Sequence, residues 1–391
     1  MTSLLQTRNA VALSFALNGF CFATLVSRLP DIRAALDIDN GQLGLLLFAI
    51  AAGSIVAMPS AGRVIDRTSA AFVVRLGAVL VAGGLTVAML GAVVGVPLVT
   101  ALGFLFHGAG TGLWDVAMNV EGAEVERRLG RTIMPRFHAG WSIGSIAGAA
   151  LGIPMAALHA PLLLHVVPCV SLALVLTWWA VGAYLLVETH DEAPVGRPGR
   201  SAWLEPRTLA IGVMVLSFAL VEGAANDWLA LALIDGYDVR HWVGVAGFAL
   251  FVCSMTTGRL AGPILLDRFG RAPLLWWSTG ATAVGILLVV LGDHVALVGA
   301  GVVVWGLGAS LGFPVGMSAA ADDPVHAARR VSVVSTIGYG AFLAGPPLLG
   351  WLADVVGTLD ALLAVVFLMI PAALTVFAVR PPERAAEEVS A

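Results

Sequence analysis

His107, Thr111, Asp115 and Asn119 follow one another at a spacing of four inside a single long apolar stretch. On a helix that spacing lines an imidazole, a hydroxyl, a carboxyl and an amide along one face, a polar stripe suited to carrying protons or holding a polar guest. An ionisable side chain near the centre of a bilayer costs about 2.5–3.5 kcal/mol on insertion scales, so each one is a functional candidate by default. Asp115 admits two readings, a hydrogen-bonding strut between helices or a proton carrier. The chain has no Lys, and no Arg falls between residues 76 and 126, which favours the proton carrier.

The second concentration of chemistry is Glu222-Gly-Ala-Ala-Asn226-Asp227-Trp228. Counted as an α-helix, Glu222 and Asn226 share a face and Asp227 is turned away by roughly 140°. Glu222 falls near the middle of its stretch, and Asp227 about 9 Å toward the outside. Carboxylates beside an indole suit a polyol or sugar, and equally a cationic amine; the residue types leave both open. Arg28 falls at a depth similar to Asp227. It is expected either to gate or clamp solute with Asp227, or to snorkel to the interface and pair with Asp31. Asn18 and Asn119 are expected to line the cavity and Trp228, Trp305 and Tyr339 to stack a ligand, with ordinary packing as the alternative. His138, beside Arg136, reads as an interfacial residue, and Glu121, Glu124 and Glu126 as a solvated cluster among arginines.

These residues acquire meaning from the stretches that carry them. Of 391 residues 59% are hydrophobic and 12% charged, and the mean hydropathy is +0.93, so the required solvent is a membrane. Apolar runs long enough to cross about 30 Å of hydrocarbon predict twelve transmembrane helices. The first six are placed at 8–32, 41–62, 70–94, 97–123, 133–157 and 161–187. The rest follow at 208–233, 241–263, 272–292, 295–318, 329–352 and 358–379. Residues 1–187 form an N-terminal bundle, 188–207 a polar linker, 208–379 a C-terminal bundle and 380–391 a tail. Cys21, Cys169 and Cys253 lie in apolar stretches and read as packing residues. With the N-terminus in the cytoplasm, only Arg28, Arg33 and Arg240 of the arginines face outside, a positive-inside pattern with both termini cytoplasmic.

The halves echo one another. Gly62-Arg-Val-Ile-Asp66-Arg67 follows the second predicted helix, and Gly262-Pro-Ile-Leu-Leu-Asp267-Arg268 follows the eighth, each read as a tight cytoplasmic turn. Twelve helices, a central linker and this paired motif resemble the major facilitator superfamily over essentially the whole chain. The resemblance implies an all-α integral membrane protein of two pseudo-symmetric six-helix bundles. It also implies that Asp66 and Asp267, with Arg67 and Arg268, gate by latching an outward-open state at helix N-termini. Asp115-Val-Ala-Met-Asn119, followed by His138-Ala-Gly-Trp141-Ser-Ile-Gly144, resembles helices four and five of the fucose and hexose proton symporters. That likeness carries the proton-coupling carboxylate to Asp115. The run Glu222 to Trp228 resembles uncharacterised bacterial inner-membrane permeases allied to that group. Fucose permeases have an acid late in the first helix, whereas Ala23 to Pro30 has none and carries Arg28, which argues against fucose itself.

The expectation is a monomeric inner-membrane transporter moving a small polar, sugar- or polyol-like solute by proton-coupled alternating access. Asp115 takes the proton, and Glu222, Asn226 and Asp227 contact the solute. A proton-antiport exporter of drugs or metabolites is the alternative, and a non-transporting receptor a more remote one. No metal motif, nucleophile motif, phosphate loop or nucleic-acid signature is present, so neither an enzyme nor a cofactor is expected.

Overall fold

The computed structural model describes residues 3–38, 40–185, 201–239 and 241–381. Residues 188–200 of the expected linker, Arg240 and nearly all of the expected tail lie outside the described residues. Among the described residues there are twelve long helical segments. They are α1 (Leu4–Val26), α2 (Asn40–Arg67), α3 (Ala70–Val93), α4 (Pro97–Leu129), α5 (Met134–Ala157) and α6 (Leu162–Ala183), then α7 (Pro206–Tyr237), α8 (His241–Phe269), α9 (Arg271–Leu291), α10 (Val295–Ala320), α11 (Ala327–Val356) and α12 (Thr358–Val379). All except α4 and α5 are apolar enough by themselves to count as membrane spans. In α4 the polar stripe lowers the hydropathy, and α5 is rich in glycine, serine and polar residues at its start.

The expected first helix, 8–32, is two helices. Pro30 cannot continue the hydrogen-bond ladder of α1, so the chain breaks at Ser27–Arg28 and restarts as a short helix, Leu29–Leu36, with Pro30 in its first turn. The paired Gly…Asp-Arg motifs are helical as well. Asp66-Arg67 closes the last turn of α2 and Asp267-Arg268 that of α8, so these helices run longer than their hydropathy suggests. α4 departs for the same reason, ending at Leu129 on a charged turn that hydropathy assigns to a loop.

Contacts divide the chain into two compact units. One comprises Met1–Gly130, Phe137–Arg200 and Asp323–Ser332; the other comprises Arg131–Arg136, Ser201–Asp322 and Val333–Ala391. In the first unit α4 packs along both α2 and α3. Gly103 and Gly110 meet Gly84 and Gly77 of α3, and Gly108 lies against the Ile50 carbonyl of α2, so a Cβ at any of these would overlap backbone. Glycine thus replaces side-chain bulk with backbone contact, the usual way helices associate in lipid. The second unit repeats the device between α9 and α10, where Gly285 meets Gly301 and the backbone of Trp305, and Gly308 meets Thr282.

Candidate functional site

In the first unit the close packing of α4 leaves its Asp115–Asn119 edge toward α1 and α5. Asp115 is buried, at 6% exposure, and Asn119 is fully buried. Asn119 Nδ2 donates to the Asp115 carbonyl at 2.9 Å and reaches its carboxylate Oδ1 at 3.4 Å. Asn119 Oδ1 lies 3.2 Å from Nε2 of His138 on α5. The imidazole is edge-on to Phe15 of α1, with centroids 5.0 Å apart. His138 is therefore no interfacial residue: it is buried and belongs to a carboxyl–amide–imidazole line. Beside it Asn18 is buried and accepts from Trp141 Nε1 at 3.0 Å, tying α1 to α5. His107, higher on the stripe, is also buried, but its backbone faces Gly84 of α3, and its Nδ1 has no hydrogen-bond partner among the described residues. The four-residue stripe is one line in sequence and two environments in space.

In the second unit the decisive residue is one that hydropathy conceals. Arg259 of α8 donates through Nη2 to both oxygens of Glu222 on α7, at 3.1 and 2.9 Å, with side chains 4% and 14% exposed respectively. Its Nε points at the Ser310 carbonyl, 3.4 Å away. That carbonyl is available because Pro314, four residues on, has no N–H to return, and α10 accordingly breaks between Ala309 and Gly312. The positive-inside reading counts Arg259 as a cytoplasmic arginine. It is instead an intramembrane ion-pair partner, since α8 extends to Phe269 and places it about 15 Å in from that end.

One turn beyond Glu222, α7 widens into a π-helical turn over Ala225–Leu229. The α-helical phase count for Asn226, Asp227 and Trp228 does not hold across it, because i→i+5 bonding inserts an extra residue into the turn. Asn226 and Asp227 are both exposed, and the Trp228 ring lies within 3.3 Å of where a Cβ on Gly350 of α11 would stand.

The residues expected to gate fall into separate settings. Arg28 is buried at 2%, forms an ion pair with Asp31 at 2.9 Å and donates to the Ala160 carbonyl at 2.5 Å. The pairing with Asp31 is the one realised, although Arg28 is buried rather than snorkelled. Asp66 Oδ2 accepts from Arg329 Nε at 2.7 Å, at the start of α11, where Gly62 also lies against Ala328. Asp267 accepts from the Thr132 amide at 3.4 Å, just before α5. Arg67 is exposed and Arg268 lies over the Phe269 ring at 5.2 Å.

A family model described as Major Facilitator Superfamily matches residues 11–324 and 243–390. An uncharacterized transporter of Sinorhizobium fredii, y4wD, is 33% identical over 384 residues, covering 93% of this chain and 98% of that protein. The chain belongs to the major facilitator superfamily. Membrane protein MosC of Rhizobium meliloti is 28% identical over 366 residues, covering 92% of this chain and 87% of that protein. Among solved structures the fold is similar to the Escherichia coli fucose:proton symporter FucP, with a TM-score of 0.78 at 14% identity over 97% of this chain and 100% of that one. It is equally similar to the human organic anion transporter MFSD10, with a TM-score of 0.78 at 15% identity over 97% and 100%. At such identities these likenesses speak for the fold. The protein is thus a multi-pass membrane transporter of the superfamily, not an enzyme.

Within this superfamily fold, several residues sit where packing rather than solute claims them. Trp305 has no exposed surface and packs edge-on to Phe251 at 5.4 Å, so it is core rather than a stacking platform. Tyr339 is partly exposed and lies edge-on to Phe313 and Phe342, at 6.5 and 5.6 Å. The acidic cluster at the end of α4 divides: Glu124 pairs with Arg127 and Arg128, whereas Glu121 is 1% exposed and accepts from the Leu185 amide at 2.6 Å. Asp322 was not singled out by the sequence. It accepts from Arg207 at 2.5 Å and Arg271 at 2.7 Å, joining one end of α7, α9 and α10, while Arg207 Nε adds the Ala378 carbonyl of α12 at 3.0 Å. Its signal was two arginines opening consecutive odd-numbered helices.

Proposed function

We propose that this transporter moves a small polar solute by proton-coupled alternating access of two six-helix halves, 1–187 and 208–379. It does so as a monomer in an inner membrane with both termini cytoplasmic. The observation that carries the reading is the buried Asp115 with its hydrogen-bonded line through Asn119 to His138. An ionisable carboxyl inside an apolar helix, held by an amide with an imidazole next in line, is a group able to bind and release a proton within the membrane. The place of Asp115 in the fourth helix matches the coupling acid of the fucose and hexose symporters, which supports the same assignment. Solute contact falls to Asn226 and Asp227 on the exposed side of the π turn, with Trp228 beside them. Glu222 borders them with both oxygens engaged by Arg259. Asp66 with Arg329, and Asp267 at the start of α5, are the gating contacts.

The test is uptake into proteoliposomes under an imposed inward proton gradient, with a panel of labelled sugars, polyols and amines. Wild type accumulates its solute against the gradient-free control, and Asp115→Asn abolishes accumulation. Transport that ignores the gradient, or survives the substitution, refutes the coupling assignment. Accumulation driven only by an outward gradient of protons assigns the protein to export by antiport.

A further inference from the structure

The sequence leaves a hydroxyl-bearing solute and an amine equally suited to the α7 acids. Charge accounting in the second unit separates them. Glu222 is compensated: Arg259 holds both of its oxygens in a nearly dry setting. A hydroxyl carries no charge of its own, so it does not displace a guanidinium that makes two charge-assisted bonds to the same carboxylate. Asp227 has no such partner. Among the described residues no hydrogen bond or ion pair reaches its carboxylate, although it lies well inside α7 and is exposed beside Asn226. Neutral hydroxyls hydrogen-bond an intramembrane carboxylate but leave its charge uncompensated, whereas a cation neutralises it.

A second observation points the same way. The end of the second unit that lies nearer to Asp227 along α7 carries Asp235, Asp238, Asp293, Asp354 and Asp360. Among the described residues no arginine stands at that end; those of the unit cluster at the opposite one, as with Arg207, Arg268, Arg271 and Arg380. Asp235 and Asp360 line a cleft of about 450 Å³ between the ends of α7, α11 and α12. Arg240, outside the described residues, is the one arginine of this unit that the sequence assigns to the same end, against these five acids; a mouth with such an excess of one sign raises the local concentration of ions of the other sign.

We propose that the solute carries an ammonium group and that Asp227 receives it, with Arg259 serving to neutralise Glu222. The inference rests on the transporter reading and names its substrate class. Asn226 supplies a neutral donor and acceptor for the remainder of the solute, and Trp228 an aromatic neighbour. The acidic rim concentrates cations without binding them specifically.

The experiment is binding to the purified full-length chain in detergent, read as thermal stabilisation and tryptophan fluorescence. The probes are pairs of similar shape: ethanolamine against ethylene glycol, D-glucosamine against D-glucose, choline against 3,3-dimethylbutanol. At least one amine is expected to bind about tenfold more tightly than its uncharged partner. Asp227→Asn is expected to erase that preference and Asp227→Glu to keep it, each eluting as the wild type does on size exclusion. No amine outperforming its partner overturns the proposal, as does a preference that persists in folded Asp227→Asn. The two readings fail separately. Gradient-driven, Asp115-dependent uptake of an uncharged solute alone removes the ammonium assignment and leaves coupling intact. Amine binding with gradient-indifferent uptake does the reverse.

Discussion

At the scale of single residues, the Glu222–Arg259 pair illustrates how a buried charge depends on its counter-ion. Removing one member leaves the other charged in a medium that solvates it poorly, at a cost of about 3–5 kcal/mol, while replacing both by apolar groups of similar volume is close to neutral. Glu222→Gln is therefore expected to lower the thermal midpoint in detergent substantially, and Glu222→Met with Arg259→Met to recover most of the loss. A double variant as unstable as the single one would contradict the pairing. Asp115 and Asp227 were legible from sequence because an acid in an apolar run stands out. Arg259 was not, because an arginine a few residues from a predicted helix end looks like any interfacial cation. His138 was concealed in the same way by its neighbour Arg136, and only the approach of α4 and Phe15 makes it an interior group.

At the scale of elements, backbone contact sets how closely the helices pack. A Cβ on Gly108 overlaps the Ile50 carbonyl, whereas one on Gly83, turned about 100° around α3 from Gly84, meets nothing within 4 Å. Overpacking of this kind costs about 1–3 kcal/mol. Gly108→Ala is expected to lower the thermal midpoint and Gly83→Ala to leave it unchanged, measured on the same preparation. The π turn of α7 is a second element-level device. Deleting Ala225 would return the turn to α geometry and rotate Asn226 and Asp227 relative to Glu222. Solute binding is expected to fall about tenfold or more while the variant still elutes as the folded protein; unchanged binding would mean that the turn has no role in presenting Asp227. Gly103, Gly108, Gly110 and Gly112 in one apolar stretch are visible in the sequence as a surface that lets a neighbouring helix approach. The π turn has no comparable sequence signature, since it depends on how α7 is held by its neighbours.

At the scale of the whole molecule, charged contacts at the helix ends are suited to setting populations of states more than stability. Asp66 and Arg329 are 28% and 58% exposed, and pairs so exposed contribute at most about 1 kcal/mol. Asp66→Asn is expected to change the thermal midpoint little and the labelling rate of single cysteines introduced at the ends of the helices markedly; unchanged labelling would remove Asp66 from gating. The turn between α10 and α11 supplies a pH handle outside the membrane. Burial raises the Asp323 carboxyl, but the hydrogen bond and charge of His326, the Val325 amide and Arg330 outweigh it and hold it below its ordinary value. A carboxylate depressed in the folded state contributes stability above its unfolded pKa of about 3.9, and loses it as pH falls through the folded value. The difference in thermal midpoint between wild type and Asp323→Asn is therefore expected near neutrality and should vanish on acidification.

The sequence by itself determined that this chain lives in a bilayer and has twelve helical segments to cross it, because hydrocarbon tolerates only helices and closed barrels and apolar runs of this length make helices. It also determined that the halves repeat. Asp37 and Asp238 adopt left-handed backbone at matching helix ends and are separated by 201 residues, the same interval that separates Asp66 from Asp267. What only the tertiary structure decided is which polar groups meet. Periodicity fixes the face of one helix on which a side chain lies, but partnership needs a second helix at a definite azimuth and depth. Those are set by glycine contacts, by the Pro314 break and by the π turn. Hence Asp115 could be singled out from its own neighbours, whereas its link to His138, and the commitment of Glu222 to Arg259, arise only from helices distant in the chain.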